Sequence, residues 1–217
     1  RLLEADRLVR QQLAGITVIY LPDLYEAETD CTRILLDFAS NTFPEPFGLD
    51  QMIRSLAKET GIAYSGQQEE AIRAAATSGL LLITGGPGTG KTTILNGVLE
   101  LLGQMQLKCL LAAPTGRAAK RLTEVTGEEA STIHRLLEAT IDPNTGKMFF
   151  VRDEDSPLKC DAVIVDEMSM VDIFLMRSLL KALQPGTKLI LVGDADQLPS
   201  VGAGNVLRDL IESVPME

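Results

Sequence analysis

Residues 80 to 93 read LLLITGGPGTGKTT. Four apolar residues run into a glycine-rich turn, and a Lys-Thr pair follows. The spacing Gly85-x-x-x-x-Gly90-Lys91-Thr92 fits a phosphate-binding loop without a mismatch. Polyphosphate concentrates negative charge, so its oxygens need several donors aimed at one point. Backbone N–H groups supply these only where the chain wraps closely, which glycine permits because it lacks a Cβ. A helix opening after Gly90 adds the positive end of its dipole. In this reading Gly86, Pro87, Gly88, Thr89 and Gly90 wrap the phosphates and Thr93 continues the wrap into the helix. Lys91 reaches the β/γ-phosphates, and the Thr92 hydroxyl holds Mg²⁺. The bland alternative, a glycine turn that binds nothing, fits the context poorly, because a strand-like run precedes the loop and helix formers follow it.

Strand-like and helical stretches alternate from Leu49 onward. Helical LDQMIRSLAKETG and SGQQEEAIRAAATSG precede strand LLLIT, and helix TTILNGVLELLGQM follows the loop. Strand KCLLAAP, helices TGRAAKRLTEVTG and STIHRLLEAT, a hairpin-like excursion over residues 141–160, strand DAVIVDE, helix VDIFLMRSLLKAL, strand TKLILVGD and helix NVLRDLIESV complete the run. Apolar strands separated by helices predict an α/β fold with a mostly parallel sheet covered on both faces. Upstream, residues 1–14 carry Leu2, Leu3, Leu8, Val9 and Leu13 among charges and predict a helix stopped by Gly15. ITVIYL predicts a strand, and Pro22 opens a long helix. NTFPEPFG, residues 41–48, holds two prolines and a glycine and predicts a linker. A boundary is therefore expected there, with residues 1–48 as the end of a preceding domain and residues 49–217 as the main one.

The net charge of −10 argues against a nucleic-acid protein of the simple basic-patch type, though not against a local basic groove on an acidic body. The apolar run Leu80–Ile83 is far too short to span a bilayer, and no secretory signal is visible. The chain begins with Arg rather than Met, so a piece of a longer protein is expected. Cys31, Cys109 and Cys160 are scattered and lack metal spacing, which fits thiols in a reducing, cytoplasmic setting.

Two further stretches carry chemistry. DAVIVDE is an apolar strand ending in acids, where the carboxyl edge of a parallel sheet meets its ligands. There Asp166 coordinates Mg²⁺ and Glu167 polarises the attacking water as general base. LILVGDADQLPSVGAGN ends a second strand on the same edge, and Gln197 can bond a γ-phosphate or the lytic water. A softer signal is positive: Arg117, Lys120 and Arg121 fall within five residues, with Ser131, Thr132, His134 and Arg135 as further donors. The cluster suits a local phosphate track, or equally a solvated helix face.

In order and spacing, GGPGTGKT, APTGRAAKRL, TIHRLL, VDEMSMVD and GDADQLPSVGAGN resemble the first motor domain of superfamily 1 DNA helicases, most of all the RecD-like group. The resemblance covers about residues 60 to 210. It implies a RecA-like P-loop domain that uses ATP and Mg²⁺ and moves along single-stranded DNA, in the 5′ to 3′ direction usual for the group. It implies that Gln68, rather than Gln67, reads the adenine edge, that Gln197 senses the γ-phosphate, and that Thr115, Gly116, Arg117, Lys120, Thr132 and His134 contact the DNA strand. His134, the sole histidine, is assigned to DNA contact or structure and not to chemistry. The resemblance further implies a second motor domain in cis, supplying arginines to the site, and nuclease or helicase partner subunits. No membrane partner is expected. Two other classes use the same loop, a small-molecule kinase and a nucleotide-dependent clamp or regulatory module. The Asp166–Glu167 pair and the Gln197 loop favour water as acceptor over the first.

Overall fold

The computed structural model describes residues 8–13 and 15–213. Strands β1 (Val9–Leu13) and β2 (Ile16–Tyr20) come first and pair antiparallel, Val9 opposite Tyr20 and Leu13 opposite Ile16. The helix expected over residues 1–14 is thus replaced, in its described part, by a strand; residues 1–7 lie outside the described residues. The cause is the partner. ITVIY is rich in β-branched residues, and Gly15, at φ 82°, lets the chain reverse, so VRQQL is recruited as a hairpin arm.

Helix α1 (Pro22–Ser40) follows, with proline in its first turn as the sequence predicts. Residues 41–48 are fastened rather than loose. The Phe43 amide donates to the Thr77 carbonyl (2.7 Å), and the Gly79 amide donates to that of Asn41 (2.9 Å). Helices α2 (Leu49–Thr60) and α3 (Gly66–Thr77) come next, the latter opened by a reciprocal Ser65–Gln68 capping box. Then come β3 (Leu80–Thr84), α4 (Lys91–Gln104), β4 (Cys109–Ala113) and α5 (Gly116–Thr126).

The helix expected over residues 131–140 breaks into three pieces: β5 (Ala130–Thr132), a single turn α6 (Ile133–Leu136) and β6 (Ala139–Ile141). β5 pairs with β4, a tertiary partner that local propensity does not reveal, and Glu138 at φ 54° ends the helical turn. β6 and β7 (Met148–Phe150) form the expected hairpin. The chain closes with β8 (Ala162–Val165), a 3₁₀ turn at Met168–Met170, α7 (Ile173–Lys181), β9 (Lys188–Gly193) and α8 (Val206–Ser213).

Five strands form one parallel sheet in the order β3-β9-β8-β4-β5. Every residue of β8 and β9 is buried. Burial on both faces explains why AVIV and KLILVG show no polar alternation. One face packs on α1, α7 and α8 through residues such as Phe38, Met176 and Leu207. The other packs on α2 to α5 through Leu56, Ile72, Leu101 and Leu122. α1 therefore shares the core of the sheet, with Ala27, Cys31, Leu35 and Phe38 buried beside Val163 and Leu179, and the Arg177 guanidinium donates to Asp30 at 2.7 Å. The division expected at residue 48 does not coincide with a gap in packing.

At the amino end of β9, Lys188 is buried. Its ammonium donates to the carbonyls of Ala76 (2.9 Å) and Ser78 (3.2 Å) and sits 3.6 Å from the centre of the Phe43 ring. Burial pushes its pKa down to about 8, while the two carbonyls and the ring face favour the charged form. The three cysteines are free thiols. Burial pushes Cys31 up to about 12 and Cys109 and Cys160 to about 11, so none is a ready nucleophile. Among the described residues no helix is long and apolar enough to cross a membrane.

Candidate functional site

The strand order decides where the site sits. β9 lies between β3 and β8, so the loops leaving the carboxyl ends of these three strands are neighbours. The loops carry the glycine turn, the Gln197 segment and the Asp166–Glu167 pair. They enclose a cavity of about 490 Å³, within the range of small-molecule sites.

The glycine turn runs from Gly85 to Gly90, with Gly88 at φ 77° and Gly90 at φ 88°, a region that side chains enter at a cost. Gly90 is the N-cap of α4 and offers no side-chain acceptor, so the first amides of the helix are not capped from within, and no acid stands in the first turn. The Lys91 ammonium lies over the turn, donating to the carbonyls of Gly85 and Gly86. The Thr89 hydroxyl donates to the Gly86 carbonyl at 2.9 Å. Gly86 through Thr92 all line the cavity, whereas Thr93 and Gln68 do not. Gln68 instead closes the capping box: its carboxamide oxygen accepts from the Ser65 amide at 2.9 Å. Its nitrogen faces Gly90 so closely that a Cβ there would come within 2.6 Å of it.

Asp166 and Glu167 leave β8 into the same cavity. Glu167 has φ 56° and ψ 43°, left-handed for a side-chain residue, at a cost of roughly 1–3 kcal/mol. Its amide donates to the Asp166 carboxylate (2.8 Å), and its carbonyl accepts from the Met170 amide (3.1 Å), which together hold the turn. Burial raises the pKa of Asp166, opposed by the amide of Glu167 and by the charges of Lys91 and Arg121. Burial and the neighbouring Asp166 raise that of Glu167, against the same two cations.

Gln197 also lines the cavity. Its carboxamide nitrogen donates to the buried Asp194 carboxylate at 3.4 Å, and Asp194 also accepts from the Asp196 amide at 3.0 Å. The far end of this loop is bolted to α7, where the Ile173 amide donates to the Ala203 carbonyl at 3.0 Å.

The candidate strand-binding residues occupy the other half of the edge, after β4 and β5. Thr115 caps α5, accepting from the Ala118 amide at 3.2 Å, and Thr132 caps α6, accepting from the Arg135 amide at 3.1 Å. Gly116, Arg117 and Lys120 are exposed, and Lys120 lies 3.9 Å from Glu124. His134 is half-buried, with its ring centre 5.7 Å from that of Phe150. Arg121 is the member of the positive cluster that the structure moves: with Leu122 and Val125 it lines the nucleotide-sized cavity. Leu95, Leu122 and Val125 supply an apolar wall that no motif announces.

Residues 68–203 match the AAA domain family. The chain is 39% identical over 197 residues to the ATP-dependent RecD2 DNA helicase of Deinococcus radiodurans, covering 91% of this chain and 26% of that protein. It is 42% identical over 171 residues to the RecBCD enzyme subunit RecD of Mycolicibacterium smegmatis, covering 68% and 30% respectively. The chain thus spans about a quarter to a third of the length of these relatives. Among solved structures, Pif1 helicase from Bacteroides is 23% identical with a TM-score of 0.46, over 71% of this chain and 37% of that one. The motif resemblance to RecD-like superfamily 1 motor domains is borne out by the RecD2 and RecD relatives.

Proposed function

The chain belongs to the AAA domain family, and from that premise we propose that it is the first motor domain of a RecD-like helicase, coupling ATP hydrolysis to movement on single-stranded DNA. The observation that carries this reading is the convergence of Gly86–Thr92, Asp166, Glu167 and Gln197 on one cavity. Each residue then has a task. The uncapped amides of α4 and the loop receive the phosphates. Lys91 exchanges its loop carbonyls for β/γ-phosphate oxygens. Glu167 accepts a proton from the attacking water, and its raised pKa brings it nearer the working range of a general base. Gln197, released by Asp194, bonds the γ-phosphate or the water and loses that partner after hydrolysis.

Thr92 and Asp166 are the residues that would hold Mg²⁺, which would neutralise charge on the transferring phosphate. The donor set fits, since Mg²⁺ takes one or two protein oxygens and completes its shell from phosphate and water. Gln68 reads adenine at the rim, next to Gly90. Thr115, Gly116, Arg117, Lys120, Thr132 and His134 form the track for the strand. A second motor domain in cis completes the site with arginines, and RecBCD-like partner subunits and a cytoplasmic setting accompany the reading. Movement is 5′ to 3′.

The test is a pair of variants. Lys91→Ala should remove ATP binding, whereas Glu167→Gln should keep it and stop turnover. ATP turnover that survives Glu167→Gln unchanged would refute the assigned chemistry.

A further inference from the structure

Helix α5 carries three positive residues, all exposed, and Arg121 is the one that borders the cavity. Arg121, Leu122 and Val125 line the cavity, while Lys120 lies 3.9 Å from Glu124 on the outer shoulder. Arg117 is exposed near the start of the helix, one turn before Arg121. Among the described residues Arg121 makes no ion pair, although Arg73, Arg152, Arg177 and Arg208 each do. It is thus a second cation in a cavity that already holds Lys91 and the two carboxylates.

We propose that Arg121 is a phosphate-contacting residue of the nucleotide cavity, its guanidinium gripping the terminal phosphate together with Lys91. This rests on the reading of the cavity as an ATP site. A planar guanidinium offers two parallel donors to two phosphate oxygens, a geometry that an ammonium cannot reproduce. The helix position adds a consequence. Arg121 and Arg117 are separated by a single turn of one rigid element, so the terminal phosphate at one residue and the strand at the other are read by the same helix. Loss of that phosphate releases the middle of α5 while its first turn, with Arg117, still faces the strand. A plainer role is that Arg121 only balances the charge of Asp166 and Glu167, whose pKa values it helps to hold down.

Nucleotide affinities separate the two. ADP and the non-hydrolysable analogue adenylyl imidodiphosphate should be titrated onto the full chain as wild type, Arg121→Ala and Arg121→Lys, with melting temperatures in parallel. A lost charge-assisted contact should weaken the analogue by about tenfold or more in Arg121→Ala, and leave ADP within about twofold. Arg121→Lys should recover part of the difference, and single-strand binding without nucleotide should not change. An equal loss for both nucleotides, or no loss, overturns the assignment, as does a fall in nucleotide-free strand binding equal to that of Arg117→Ala. Should Arg121→Ala fail to fold, the Lys variant alone decides: an unchanged ratio of analogue to ADP affinity overturns the proposal. If the wild type binds neither nucleotide, the ATP reading fails first and the Arg121 role with it. If the wild type binds both and the variants match it, the Arg121 role alone fails.

Discussion

The two halves of one sheet edge are built on opposite terms. After β3, β9 and β8 the loops line one cavity: Asp194 is buried, Asp166 and Glu167 are half-buried, and the carboxylates of Asp194 and Asp166 each accept a hydrogen bond from within their own loop. After β4 and β5 the groups are shallow. Two threonines are spent on capping helices, and Gly116, Arg117 and Lys120 stand in solvent. The enclosed half suits a compact, highly charged ligand that repays desolvation. The open half suits a long strand that must be gripped and let go, where each contact is weak and salt-sensitive.

This contrast sets an order of expected effects. Lys91→Ala should cost the most, on the order of 10³-fold or more in ATP kcat/KM, because it removes the cation the loop is folded around. A loss below tenfold, measured by steady-state phosphate release, would mean that the enclosed half is not the seat of chemistry. Glu167→Gln should lower kcat by about 10²- to 10⁴-fold with nucleotide affinity nearly intact, the mark of a proton acceptor rather than a binding group. In the open half, Arg117→Ala should be milder. Single-strand affinity should fall by a similar factor for all sequences, and the slope of log K against log salt should shrink by about 1. An unchanged slope in fluorescence anisotropy would remove Arg117 from the track.

Stability tests sharpen the same comparison. The folded-state pKa of Asp166 is raised by burial. Above the ordinary carboxylate pKa of about 4 the folded state therefore holds its proton more tightly than the unfolded state, and ionisation costs stability as pH rises through the raised value. Asp166→Asn should then increase the urea midpoint at pH 7, and the gain should vanish as pH falls below about 4. Among the smallest effects, Glu167→Gly should relieve the left-handed backbone and stabilise by roughly 1 kcal/mol, in a protein that no longer turns over. An exposed site such as Lys120→Ala, whose partner Glu124 is also in solvent, should leave the melting temperature unmoved.

What was legible in the sequence follows the same divide. β3, β8 and β9 were plain because strands buried on both faces must be continuously apolar. The phosphate loop was plain because few other chemistries need that glycine spacing. β1 and β5 were not, since each exists through pairing with a segment whose proximity no local pattern encodes. Gln68 showed its residue type but not its double duty, with one end of the carboxamide capping α3 and the other against Gly90. Arg121 looked like its neighbours because sequence spacing of one residue conceals a turn of about 100° around a helix.

Lys188 has a bearing on accuracy. A strand of uniform apolar residues such as LILV can slide along its neighbours with little change in what it buries, yet its register sets where Gln197 meets the cavity. One ammonium, seated between the carbonyls of Ala76 and Ser78 and under the Phe43 ring, indexes β9 like a detent on a rule. A slip of one residue would turn that charge to the other face of the sheet, among leucines, where nothing receives it. The residues 41–48, met first as a linker, thereby help to set where the Gln197 loop leaves the far end of the strand.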